Sequence, residues 1–128
     1  MGYETRLILG YKSENSPRSK FKFRMSEIAT IDLSKICYNK MEALISRIHN
    51  KENSKLYPKT FYYQGNKMVT KDSYGDALRL VPVQEVLDAI KEDNEKESYR
   101  RFNMAIPFLE EAIKGFGNGE LFCLLYGY

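Results

Sequence analysis

The stretch Glu120-Leu-Phe-Cys-Leu-Leu-Tyr-Gly-Tyr128 carries five apolar residues in a row, Leu121 to Leu125. A strand covered on one face alternates apolar with polar side chains. An unbroken run therefore predicts a strand covered on both faces, at the centre of a sheet. Gly115-Phe-Gly-Asn-Gly119, just before it, supplies a helix stop and a turn. Its nearest match is Arg6-Leu-Ile-Leu-Gly-Tyr11, another aliphatic run ending in Gly-Tyr, and the two are expected to lie side by side.

With 128 residues, 43% hydrophobic and 29% charged, the chain reads as one domain. At this size it can bury roughly two thirds of its unfolded surface without metal or disulfide. No window approaches the roughly 18 apolar residues of a membrane-spanning helix. Glu4 and Arg6 interrupt the first apolar stretch, so no signal peptide and a cytoplasmic location are expected. In that compartment Cys37 and Cys123 are predicted to be buried thiols and not a disulfide. The net charge of +3 conceals a split: residues 1–79 hold 15 Lys and Arg against 8 Asp and Glu, residues 80–128 hold 5 against 9. Two readings are open, a basic binding face or mutual attraction of two parts of the fold.

Outward from the last stretch, the pattern alternates between strands and helices. Tyr3 to Tyr11 reads as a strand, followed by a polar loop over residues 12–20. Phe21, Phe23, Met25, Ala29, Ile31 and Leu33 alternate with polar residues and are predicted to point one way. Glu27 and Ile28 break that alternation, and a bulge between Met25 and Ala29 that turns Glu27 outward repairs it. The competing reading makes Glu27 a functional carboxylate in a pocket. Asn39 and Glu42 form a near capping box for a short helix through Met41, Leu44, Ile45 and Ile48. His49 at its end reads as a solvated residue, since no second histidine exists to build a zinc site.

Residues 59–64 and 67–70 flank Gly65-Asn66, a two-residue turn whose residues both accept positive φ, which predicts a hairpin. The small and polar Lys71-Asp-Ser-Tyr-Gly-Asp-Ala77 reads as a loop without the spacing of a phosphate or calcium loop. Pro82 suits position N1 of a helix whose apolar face is Val83, Val86, Leu87 and Ile90. Ser98 is placed to cap a second helix with the stripe Tyr99, Phe102, Ala105, Ile106, Leu109, Ala112 and Ile113. Pro107 should kink that helix near Phe102 and Asn103 or divide it. The order β-β-α-β-β-α-α-β defines a single α+β domain with a mainly antiparallel sheet of about five strands and helices chiefly on one face.

No nucleophile elbow, Walker loop or Cys-His signature is present, and no cofactor or metal is expected. The segments Asp72-Ser-Tyr-Gly-Asp76, Leu80-Val-Pro82, Val86-Leu-Asp-Ala-Ile90, Tyr99-Arg-Arg-Phe102 and Leu125-Tyr-Gly-Tyr128 resemble small accessory proteins of tailed bacteriophages and prophages. The resemblance covers the C-terminal half. It implies a setting in which compact proteins bind and block host defence systems, anti-CRISPR proteins among them, and transfers no functional residue.

Three functions are therefore weighed. The first is a non-catalytic protein that binds a bacterial host protein. Its contact surface would be the hairpin residues Lys59, Phe61, Tyr62, Tyr63 and Lys67, at least one ring of which must face outward, with Asp72, Tyr74 and Asp76 of the next loop. The same hairpin leaves room for a homodimer, unless Lys59 and Lys67 guard the edge. The second is nucleic-acid binding through Lys20-Phe-Lys-Phe-Arg24, Tyr57 and the hairpin, by stacking and phosphate contacts. The third is a nucleotide sponge or a metal-dependent hydrolase with Asp72, Asp76 and Tyr74 at a cleft and Arg100 or Arg101 on phosphate.

Overall fold

In a computed structural model, residues 4–33, 46–48, 57–96, 98, 100–117 and 121–128 are described. Six strands form one sheet: β1 (Thr5–Glu14), β2 (Phe23–Asp32), β3 (Thr60–Gln64), β4 (Lys67–Val69), β5 (Val81–Pro82) and β6 (Leu121–Gly127). Their order is β4-β3-β2-β1-β6-β5. Two long helices follow β5, α1 (Val83–Lys96) and α2 (Arg100–Phe116), and residues 46–48 are also helical. The fold is α+β, as expected. Cys37, His49, Tyr99 and the start of the short helix lie outside the described residues.

β6 sits inside the sheet, paired antiparallel with β1 from Leu121↔Tyr11 to Gly127↔Thr5. The two aliphatic runs are neighbours. Leu121, Cys123 and Leu125 face the helices, where they join Leu7 and Leu9 of β1, Val86, Leu87 and Ile90 of α1, and Phe102, Ala105 and Leu109 of α2. Phe122 and Leu124 face the other way, with Ile8, Met25 and Tyr62, beneath Leu78 and Leu80 of the connection from β4 to β5. Removal of each such side chain from water contributes ~1.5–3 kcal/mol, which is why an uninterrupted apolar run settles here.

Some expectations are corrected. The sheet has six strands, because Val81–Pro82 is a short edge strand against Cys123 and Phe122. Pro82 ends this strand and is not at helix N1; a missing N–H is tolerated at a sheet edge. The sheet is mainly antiparallel, as expected, with one exception: β2 and β3 run parallel, from Phe23↔Thr60 to Met25↔Tyr62, a pairing that requires a long connection between them. α2 runs through Pro107 without division. At the hairpin only Gly65 has positive φ, 65°, the pattern of a turn with glycine first and an ordinary second residue.

The register of β1 against β2 passes from Leu9↔Ala29 to Gly10↔Glu27 and skips Ile28. This is the expected bulge, and Glu27 is exposed, its carboxylate accepting a hydrogen bond from the Thr30 hydroxyl. Its consequence differs from the expectation. One extra residue shifts the two-residue parity, so the six apolar residues of this stretch do not share a face. Ile31 and Leu33 pack toward the helices, while Phe23 and Met25 pack on the opposite side of the sheet.

Candidate functional site

Sheet parity places the hairpin aromatics in three environments. Tyr62 points with Met25 into the core beneath Leu78 and Leu80. Phe61 points the other way and is buried between Phe21 and Tyr63, ring centroids 6.3 and 5.8 Å away. Tyr63 lies outward, 43% exposed, opposite Met68 of β4, which is 41% exposed. The Arg24 guanidinium stacks 4.9 Å from the Tyr63 ring centroid, so Arg24, Tyr63 and Met68 form a cationic and apolar surface at the β4 edge. Lys67 is exposed at the start of that edge. Lys59 holds a φ of 59°, and its carbonyl accepts the N–H groups of Lys22 and Phe23 where β2 and β3 begin to pair.

The 71–77 loop is ordered by one carboxylate. Asp72 Oδ1 accepts the N–H groups of Tyr74 at 2.9 Å and Asp76 at 3.0 Å, and Oδ2 accepts that of Gly127 at 3.3 Å. Asp72 N–H donates to the Asp76 carbonyl, and Ser73 N–H to that of Gly127. The loop is thereby fastened to the end of β6. Asp72 spends its acceptor capacity on backbone and acts as a loop organiser.

Tyrosines continue from there across the end of the sheet. The Tyr74 hydroxyl donates to the Tyr128 carbonyl at 3.1 Å, and that of Tyr128 donates to Asp32 at 3.1 Å beneath the Arg6 guanidinium, 4.1 Å from its ring. The Tyr126 hydroxyl lies 3.3 Å from Ser73 Oγ, and its ring meets Tyr62 edge to face at 6.4 Å. Burial pushes the Tyr62 phenol up to about 12, with Tyr126 and Glu27 adding to the rise and Arg6 opposing it.

Tyr62, Asp72 and Tyr74 thus meet in one tyrosine-rich corner, with the exposed Asp76 on the same loop. Tyr63 and Lys67 belong to the hairpin edge. Arg100 and Arg101 begin α2, whose Phe102 enters the helix-side core, whereas the Asp72 loop leads into Leu78 on the opposite face. Among the described residues, no hydrogen bond or salt bridge joins Asp72 or Asp76 to either arginine. Among the described residues, no group of three His, Cys, Asp or Glu is arranged to hold a metal. No described helix is long and apolar enough to cross a membrane.

Sequence reasoning missed Met68, Tyr126 of β6 and Tyr128 just after it. Met68 was legible only as half of the cross-strand pair with Tyr63. Tyr126 and Tyr128 read as the tail of a core strand, and their hydroxyl partners come from residues 53 and 96 positions away. No protein-family model matches the chain, and neither a curated protein nor a solved structure matches it.

Proposed function

We propose that this chain is a non-catalytic binding protein that engages a bacterial host protein through the β3-β4 edge, in the manner of a phage-encoded inhibitor of a defence protein. The observation that carries the reading is the outward triad Arg24, Tyr63 and Met68, one residue from each of β2, β3 and β4, beside β4, which is an edge strand among the described residues. Tyrosine, methionine and arginine are enriched in the centres of interfaces, and an open strand edge adds backbone hydrogen bonds to a partner strand. The phage setting that the C-terminal half resembles makes a defence protein the partner to seek.

The test is quantitative pull-down from bacterial lysate with the wild type and the double variant Tyr63→Ser, Met68→Ser. Both side chains are exposed, so the variant is expected to fold. Retention of the specific host protein should fall at least about tenfold, the equivalent of ~1.4 kcal/mol. Equal retention by a folded variant moves the site elsewhere, and a wild type that retains no host protein at micromolar concentration removes the reading. Light scattering addresses self-association, since a mass near 15.0 kDa at high concentration leaves only a heterologous partner.

A second reading rests on the stacked pair Arg24 and Tyr63 with Lys20 near the Phe21 ring at 5.8 Å, a basic and aromatic arrangement suited to single-stranded nucleic acid. A gel shift at low salt distinguishes it. Binding that weakens steeply with added salt supports nucleic acid, and no shift ends this reading.

A further inference from the structure

On the opposite face of the sheet from Arg24 and Tyr63, the Lys12 ammonium is surrounded by rings. Its Nζ lies 3.9 Å from the centroid of Tyr57 and 5.3 Å from those of Phe23 and Phe122. The rings wall one another in, with Phe23 and Tyr57 centroids 5.1 Å apart at 72° and those of Tyr57 and Phe122 5.6 Å apart at 84°. All three distances lie within the ~6 Å over which a ring face attracts a cation. No carboxylate pairs with Lys12 among the described residues, so three ring faces are its partners.

We propose that Phe23, Tyr57 and Phe122 form a binding box for an alkylammonium group, and that Lys12 is its internal ligand. Aromatic walls on several sides of one cation are how proteins recognise quaternary ammonium groups, because each electron-rich face replaces part of the hydration that the cation loses. The box is built independently of its occupant. Tyr57 is held by paired backbone hydrogen bonds to Leu80, 3.0 Å each, Phe122 by β6 against β1, and Phe23 by β2. Lys12 lies beyond the last β1-β6 pair, Tyr11↔Leu121, and its backbone is held in the β1-β2 ladder opposite Met25. Its side chain can leave without breaking the central ladder.

The resident cation is tested first in the wild type. The ε-methylene protons of Lys12 should resonate upfield of those of exposed lysines, through ring currents; ordinary shifts overturn the assignment. Lys12→Ala then opens the box to added choline, with its uncharged isostere 3,3-dimethyl-1-butanol alongside. Expected are saturable choline shifts confined to the rings of Phe23, Tyr57 and Phe122, about fivefold tighter than for the isostere, and a rise in melting temperature. The wild type should show neither. A folded Lys12→Ala that ignores choline, or takes the isostere equally, overturns the proposal. Lys12→Met fills the box with an uncharged chain and preserves packing where the alanine variant does not fold. Choline binding to that variant at those rings would equally overturn it.

Discussion

Gly10 stands opposite Glu27 where the β2 bulge presses into β1, and a Cβ built there would lie 2.1 Å from the Ser26 carbonyl oxygen. That atom is backbone, so it cannot swing away. Gly10→Ala is expected to destabilise by ~2–4 kcal/mol, measured by chemical denaturation; an unchanged midpoint would mean the bulge relaxes elsewhere. Tyr62 carries a second prediction. Its phenol titrates at about 12 in the fold against 10.0 as a free side chain. The fold favours the neutral form, so this contribution is complete below pH 10 and is lost as pH rises through about 12. Wild type should therefore lose stability more steeply than Tyr62→Phe between pH 10 and 12, by thermal melts at fixed ionic strength. Parallel slopes would place the hydroxyl in solvent.

α2 shows how packing overrides local preference. A proline in a helix interior removes one donor and crowds the preceding turn, at ~3 kcal/mol or more, yet the helix runs unbroken from Arg100 to Phe116. Phe102, Ala105 and Leu109 are fully or almost fully buried on the sheet side, and Ile106 and Ile113 pack beside them, whereas Pro107 itself is exposed. The buried stripe offsets the break. Pro107→Ala is expected to raise stability by ~1–2 kcal/mol, the restored helix bond being partly cancelled by the greater freedom of the unfolded chain. A lower melting temperature for that variant would show that the ring makes a contact the helix needs.

Across the whole molecule, the helices meet the sheet on the neighbouring interior strands β1 and β6, and Cys123 lies in that contact with no exposed surface. Burial holds its thiol well above the ordinary range, so reactive thiolate is scarce in the folded chain. Modification of Cys123 should follow global unfolding, which mass spectrometry of its peptide can measure against denaturant. Labelling well before the main transition would reveal a local opening of the sheet centre instead.

The covering of β6 on both faces, its pairing with β1, the apolar stripes of both helices and the Gly65-Asn66 hairpin were all legible in the chain. The pairing with β1 was read from the likeness of two aliphatic runs, and the others depend on a period or turn that neighbouring residues impose by themselves. Tertiary structure decided the rest, because it depends on phase and distance. The bulge at Ile28 set which face Phe23 and Met25 occupy. The parallel pairing of β2 with β3, and cover from Leu78, Leu80 and Phe21, buried Tyr62 and Phe61 and left Tyr63 outside. Asp72 became an organiser of the loop because Gly127, 55 residues on, comes back to its carboxylate. Lys12 met three rings drawn from β2, β6 and the approach to β3, a gathering that no local pattern encodes.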